Sequence, residues 1–288
     1  MENQIIIFIQ KETFKLFKIN YSEKYIKSKF LPIINYIIKS HKKKFLFSGS
    51  QGVGKTSMVQ ILKKVLEKFY NLRILSLNLD NYYLSKKNRE RLSVKVHKLL
   101  ITRGVPGTHN IKKLINDIGR FNYLEYPIYV PNFDKLIDDK SNKYKKIINK
   151  CDILFLEGWC CGSKPIEKKY LFKNINFIEK NFDKYKIWRK YYNSKLQNEY
   201  KKLFSLFDSL IFLKSPSFKY VLNWRLNQEK KNKSKNTRSR KMNKKEVKIF
   251  IQNYEKITKW MMKTLPKKAD LVIYINKKQM INSIKIKY

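Results

Sequence analysis

The chain has 288 residues, a formal net charge of +43, and 43% hydrophobic and 14% aromatic side chains, so it is long enough to bury a sizeable core and too apolar to stay disordered. Cys151, Cys160 and Cys161 are odd in number and lack C-x-x-C spacing; neither a disulfide framework nor a zinc site is suggested, and a reducing cytoplasm is the expected setting. The apolar run from Ile5 to Ile9 is too short to span a bilayer and follows Glu2 without a cleavage-type sequence, so no membrane or targeting segment is expected.

Such a positive charge first suggests a nucleic-acid partner through counterion release. Against that, Lys, Asn, Ile, Tyr and Phe are all abundant while alanine occurs once, at Ala269. That is the mark of AT-rich coding, which raises lysine everywhere without building a binding patch, so nucleic acid is not the expected partner, and a nucleotide-binding protein that uses a basic surface for nucleic acid is kept as the alternative from a different class. With no long Gly/Ser/Pro linker, residues 1–288 read as one domain.

Residues 1–44 are apolar and basic, with an amphipathic stretch from Phe30 to Ile38, and are expected as a helical preface to a core over 45–275. Lys44 to Ser48 is a short apolar run that ends in Gly49-Ser50-Gln51-Gly52-Val53-Gly54-Lys55-Thr56-Ser57, after which Met58, Val59, Leu62, Val65, Leu66 and Phe69 recur at helical spacing. Strand, G-x-x-x-x-G-K-T loop and helix in that order make a phosphate-binding loop: backbone N–H groups curl around a β-phosphate, Lys55 reaches the β and γ oxygens, and the Thr56 hydroxyl holds Mg²⁺. ATP and Mg²⁺ are the cofactors implied.

Further apolar runs follow at Arg73–Leu79, Asp152–Leu156, Ser209–Leu213 and Asp270–Ile275. Buried strands separated by helices predict an α/β fold, a P-loop NTPase-type parallel sheet of about five strands with helices on both faces. Ligands in such sheets sit beyond the carboxyl ends of the strands, where this chain places Asp80 and Glu157. A carboxylate there can orient an acceptor hydroxyl and take its proton, or it can simply cap a helix. Tyr82 and Tyr83 beside Asp80, and the separate acid at Glu157, favour an alcohol acceptor with Tyr83 on its side. Glu157 follows an apolar strand; a role beside Mg²⁺ competes with a salt bridge to one of many lysines. Arg103-Gly104-Val105-Pro106-Gly107-Thr108-His109-Asn110 reads as a tight turn, and its arginine, one of nine in the chain, offers a fork suited to carboxylate or phosphate. Late in the chain, residues 215–245 combine a helix start at Ser215-Pro216 with nine Lys/Arg between Lys230 and Lys245, and are expected to form a helical lid.

Taken in order, these segments resemble the D-glycerate 3-kinase type of the phosphoribulokinase and uridine kinase superfamily. The resemblance runs from Phe45 to Ile275 through the phosphate loop, D-x-Y/F-Y-L at Asp80, R-G-x-P-G-T-H at Arg103, F-D-K at Phe133, E-G-W at Glu157, W-R-x-x-Q-E at Trp224 and P-x-x-A-D-x-V at Pro266. It implies ATP-dependent phosphorylation of a small hydroxy acid, with D-glycerate as the leading acceptor and a nucleoside or pantothenate-like alcohol as the alternative. By the same resemblance Asp80 is the base, Arg225 lies on a lid over the phosphates, and Arg103, His109 and Lys135 face the acceptor. The chain departs from the family at Asn81 and Asn110, where aspartate is usual, and at Leu136-Ile137-Asp138-Asp139-Lys140-Ser141, which replaces a G-D-R loop.

Overall fold

In chain order, helices α1 (Glu2–Phe17), α2 (Glu23–Lys29) and α3 (Leu31–Lys39) lead into β1 (Lys44–Gly49), α4 (Lys55–Phe69) and β2 (Ile74–Asn78). Then come α5 (Lys86–Lys95), α6 (Ile111–Asn122), the hairpin β3 (Ile128–Asp134) and β4 (Asp139–Ile147), and β5 (Ile153–Gly158). Short helices α7 (Lys168–Phe172), α8 (Phe177–Asn181), α9 (Ile187–Lys195) and α10 (Lys201–Phe204) precede β6 (Ser209–Lys214), and α11 (Phe218–Lys233), α12 (Lys244–Thr264), β7 (Leu271–Ile275) and β8 (Ile281–Ile286) close the chain. The computed structural model describes residues 1–233 and 243–287; the middle of the expected lid, 234–242, lies outside the described residues.

The main sheet has the order β2-β5-β1-β6-β7-β8. The five expected strands are all present and parallel, with Phe47 paired to Glu157 on one side and to Ile211 on the other. Two features went unread in the sequence. β8 adds an antiparallel edge strand on β7, and β3 and β4 form a separate antiparallel ribbon. The five central strands read as continuous apolar runs because both of their faces are covered. β4 lies mostly exposed, is dominated by lysine and carries no such signal.

Alternation along the strands divides the core in two. Phe45, Phe47, Phe155, Ile211 and Leu213 pack with the helices α1 to α4, whereas Leu46, Leu154, Leu156 and Phe212 pack with α6, α9 and α12. Each of these side chains, almost fully removed from water, contributes roughly 1.5–3 kcal/mol of transfer free energy. Helix starts are set locally. Ser22 accepts the Tyr25 N–H at 3.2 Å, and Asn243 and Glu246 form a reciprocal capping box at the start of α12, with bonds of 2.9 and 2.7 Å. Among the described residues no helix is long and apolar enough to cross a membrane.

The connections diverge at β1: the chain leaves β1 for β2 on the β5 side of the sheet and leaves the neighbouring β6 for β7 on the other. In a parallel sheet this switch point opens a crevice beyond the strand ends, and the glycine-rich loop leaves β1 there.

Candidate active site

The loop between β1 and α4 turns on glycine. Gly54 has φ 99° and immediately precedes α4, a left-handed conformation that a Cβ disfavours. The turn aims the first N–H groups of α4, with the positive end of its dipole, at the crevice. Ser50 is buried and its hydroxyl lies 3.0 Å from that of Ser215, while Gln279, in the turn between β7 and β8, donates to the Gly52 carbonyl. The unread edge strand therefore helps to hold the phosphate loop. Lys55 folds back on its own loop, donating to the carbonyls of Gly49 at 2.8 Å and Ser50 at 2.9 Å. Burial pulls its pKa down, opposed by the charges of Glu157 and Asp80.

Glu157, at the end of β5, is 4% exposed. Its carboxylate accepts the Thr56 hydroxyl at 2.9 Å and the Asn78 amide at 2.8 Å, so its nearest partners are hydroxyl and amide rather than a lysine. Burial raises its pKa; Lys55 and the Thr56 bond work the other way. Hydroxyl and carboxylate oxygens side by side are the hard donors that Mg²⁺ takes, and phosphate oxygens and water complete its shell. The residues present fit that ion.

Asp80 sits in the 3₁₀ turn Leu79–Tyr82 just after β2, not on the strand itself. The cap of that turn is Asn78, whose side chain accepts the Asp80 N–H at 2.8 Å. Helix capping is thus taken by a neighbour, and the Asp80 carboxylate is left to side chains. The Tyr83 hydroxyl donates to Oδ1 and the Lys135 ammonium to Oδ2, both at 2.7 Å. Burial pushes this carboxyl up, but Lys135, the two hydrogen bonds and His109 outweigh it and bring the pKa from 3.8 to about 2. Asp80 is ionised at every physiological pH.

The R-G-x-P-G-T-H segment meets the Asp80 segment edge to edge. Tyr83 and His109 form an isolated antiparallel bridge, flanked by Leu84 N–H to Thr108 O at 2.9 Å and Asn110 N–H to Tyr82 O at 2.6 Å. Gly104 has φ 116°, and a Cβ there would lie 2.6 Å from the Tyr254 ring. The Tyr254 hydroxyl donates to Arg103 O at 2.7 Å and the Trp159 indole to Gly104 O at 2.9 Å. The tryptophan of E-G-W thus anchors the arginine turn, and Tyr254, on α12, is a site residue that sequence reasoning did not assign to the site.

His109 is buried against Tyr83, ring centroids 4.6 Å apart. Its Nδ1 lies 2.6 Å from the Tyr200 hydroxyl, whose oxygen already accepts the Gly107 N–H. The Tyr200 proton therefore points to Nδ1, which leaves the histidine proton on Nε2. Burial lowers the His109 pKa to about 4 despite the pull of Asp80. This ring is neutral at pH 7, and its Nε2 has no hydrogen-bond partner among the described residues.

Arg103 is less available than its motif suggests. Its guanidinium pairs with Asp138 and lies over Phe133 at 5.5 Å. Arg225, on α11, rests over the Phe250 ring of α12 at 5.6 Å, and its charge is felt at the Tyr254 hydroxyl together with those of Arg103, Asp80 and Asp138. The predicted acceptor residues Asp80, Tyr83, Arg103, His109 and Lys135 are therefore gathered in one place, with Tyr254 and Arg225 at the same side.

No protein-family model matches the chain. Individual relatives do. The probable ATP-dependent kinase TDA10 of Saccharomyces cerevisiae is 36% identical over 135 residues, 42% of this chain and 46% of that protein. The match thus spans about half of that relative's length. The uncharacterized kinase mug58 of Schizosaccharomyces pombe is 27% identical over 235 residues, 78% of this chain and 82% of its own. In structure, D-glycerate 3-kinase from Cryptococcus neoformans superposes with a TM-score of 0.70 at 22% identity, covering 100% of this chain and 99% of that one. The chain has the P-loop kinase fold. In sequence it is similar to TDA10 and mug58, and in fold to the D-glycerate 3-kinase.

Proposed function

We propose that the chain transfers the γ-phosphoryl group of ATP to a hydroxyl of a small organic acid, D-glycerate, and that Asp80 orients that hydroxyl. One observation carries the reading: an ionised carboxylate, held by Tyr83 and Lys135, stands within electrostatic reach of the phosphate-loop lysine. The fold likeness to D-glycerate 3-kinase and the kinase names of the relatives support it.

The residues divide the work. ATP phosphates displace the Gly49 and Ser50 carbonyls from Lys55, which then neutralises charge on the β and γ oxygens. The N–H groups of residues 49 to 57 line the phosphate tail. Thr56 and Glu157 would hold Mg²⁺, which when bound neutralises charge on the phosphates. Asp80 accepts a hydrogen bond from the incoming hydroxyl and takes its proton. A carboxyl with pKa about 2 is a weak base; that suits a loose phosphoryl transition state, in which the nucleophile keeps its proton until late and positioning matters more than basicity. His109 offers an N–H from Nε2 to the acceptor, and Arg225 stabilises the transferring group.

A substrate panel read by ADP release tests the proposal. D-glycerate is expected to turn over and Asp80→Ala to abolish transfer while an ATP analogue still binds. Turnover of a nucleoside or of pantothenate without turnover of D-glycerate would overturn the acceptor. Equal loss of ATP binding and transfer in Asp80→Ala would overturn the role of Asp80. One observation favours a less acidic alcohol as the second reading: Arg103 already has a carboxylate partner in Asp138.

A further inference from the structure

The segment that departs from the family pattern, Leu136 to Ser141, covers most of the β3–β4 turn and the start of β4. Asp138 stands in that turn with φ 56°, the left-handed region that Asp and Asn tolerate better than most residues. From there its carboxylate faces two arginines. One oxygen pairs with Arg103 and the other lies 3.0 Å from Nη2 of Arg89. Arg89 is 1% exposed and also donates to the carbonyls of Leu84, Ile101 and Asp138 itself. Its task is to pin the turn. Arg103 is 22% exposed and Asp138 39% exposed, so this second pair is open to water and exchangeable.

Phe133 lies under the Arg103 guanidinium at 5.5 Å and against Tyr83, ring centroids 5.0 Å apart, and Tyr83 donates to Asp80, so the pair and the base share one aromatic neighbourhood. The other cation expected to face an acid, Lys135, is likewise engaged by a carboxylate, that of Asp80, and His109 is neutral. The acceptor side therefore presents a carboxylate of its own where an acidic substrate would need a guanidinium.

We infer that Asp138 is the specificity-determining residue for acceptor charge: it competes with the carboxylate of an acidic acceptor for Arg103, and so sets how strongly acids are preferred over neutral alcohols. The inference rests on the hydroxy-acid reading above for the identity of the acceptor, but the contest for Arg103 concerns any small carboxylate. An acid engages Arg103 only when Asp138 swings away, whereas a neutral alcohol binds beside an undisturbed pair. No bond is made or broken in this exchange; one carboxylate replaces another on the same fork.

Asp138→Asn is the informative change. Asparagine keeps the left-handed turn and a carbonyl oxygen for Arg89; it removes the charge and presents an amide NH2, which cannot accept from Arg103, in place of the second oxygen. D-glycerate and glycerol are titrated calorimetrically into wild type and variant, each loaded with Mg²⁺ and a non-hydrolysable ATP analogue. The dissociation constant for D-glycerate is expected to fall about threefold to fivefold in the variant, the scale of a partly exposed charge pair, and that for glycerol to change less than about 1.5-fold. Adding Arg103→Ala to Asp138→Asn is expected to erase the gain, as a double-mutant cycle requires of a pair acting on one ligand. Unchanged or weaker binding of D-glycerate in Asp138→Asn, or equal shifts for acid and alcohol, overturns the inference, and so does a gain that survives the loss of Arg103. Binding is read without turnover. A kinase that binds acids more tightly once Asp138 is neutral but phosphorylates none of them upholds the role of Asp138 and refutes the proposed acceptor instead.

Discussion

Lys135→Met removes the ammonium 2.7 Å from Asp80 Oδ2 and leaves the side chain nearly as long. In the intact site burial raises the Asp80 carboxyl, and Lys135, by charge and by hydrogen bond, is the largest of the influences that bring it down from 3.8 to about 2. The net difference, 3.8 minus about 2, is about 1.8 units or about 2.4 kcal/mol in favour of the ionised form. Lys135 is 58% exposed, so water screens part of its share and the figure is an upper bound. With the ammonium gone, burial is opposed by the Tyr83 hydrogen bond and by His109 alone among the neighbours that lowered it, and the Asp80 carboxyl titrates higher than in the intact site. On the proposed reading the ionised carboxylate orients the acceptor, so kcat/KM for the acceptor is expected to stay flat in wild type down to about pH 4 and to show an acid limb above that point in Lys135→Met. Folding follows the same sign. A depressed native pKa adds stability above the unfolded value, and that stability is lost as pH falls through about 2; the variant lacks it. A pH series of initial rates at saturating ATP decides the matter by the position of the limb, not by the height of the curve, because Lys135 also faces the acceptor. Two profiles that superimpose after scaling would refute the claim that Lys135 is what keeps Asp80 ionised.

Two other changes probe the phosphate side and the arginine turn. Glu157→Gln keeps an acceptor for the Thr56 hydroxyl but removes the charge, and the Mg²⁺ concentration giving half-maximal rate is expected to rise by about tenfold or more; an unchanged Mg²⁺ midpoint would sink the role given to Glu157. Gly104→Ala forces a Cβ to within 2.6 Å of the Tyr254 ring at φ 116°, which should cost about 1–3 kcal/mol and lower the Tm by several degrees. A variant that melts with wild type would mean that the turn relaxes freely.

The phosphate loop was legible because glycine is scarce in this chain and because Lys44–Ser48 and the Met58 to Phe69 periodicity supply the strand and helix that the motif needs. The five parallel strands were legible for a related reason: burial on both faces demands continuous apolar runs, and few other segments have them. The β3–β4 ribbon was not. Val130 and Phe133 point inward, but β4 reads as lysine and asparagine, since one face of the ribbon meets water. The edge strand β8 alternates Ile with polar residues over only 6 positions, too short to separate from a loop.

By itself the sequence determined the order of the five parallel strands, the glycine-rich loop between the first of them and its helix, and the residue types proposed to act on phosphate and hydroxyl, because these follow from local spacing and from which side chains must leave water. Only the tertiary structure decided their partners. Asn78, not Asp80, caps the turn after β2; Tyr254, 151 residues from Arg103, bonds its carbonyl; and Asp138, in a turn that looked like an interruption of the pattern, reaches the guanidinium expected to receive the substrate. Contacts of that kind depend on how the sheet and its ribbon bring distant segments within a few ångströms, a distance that no spacing along the chain encodes.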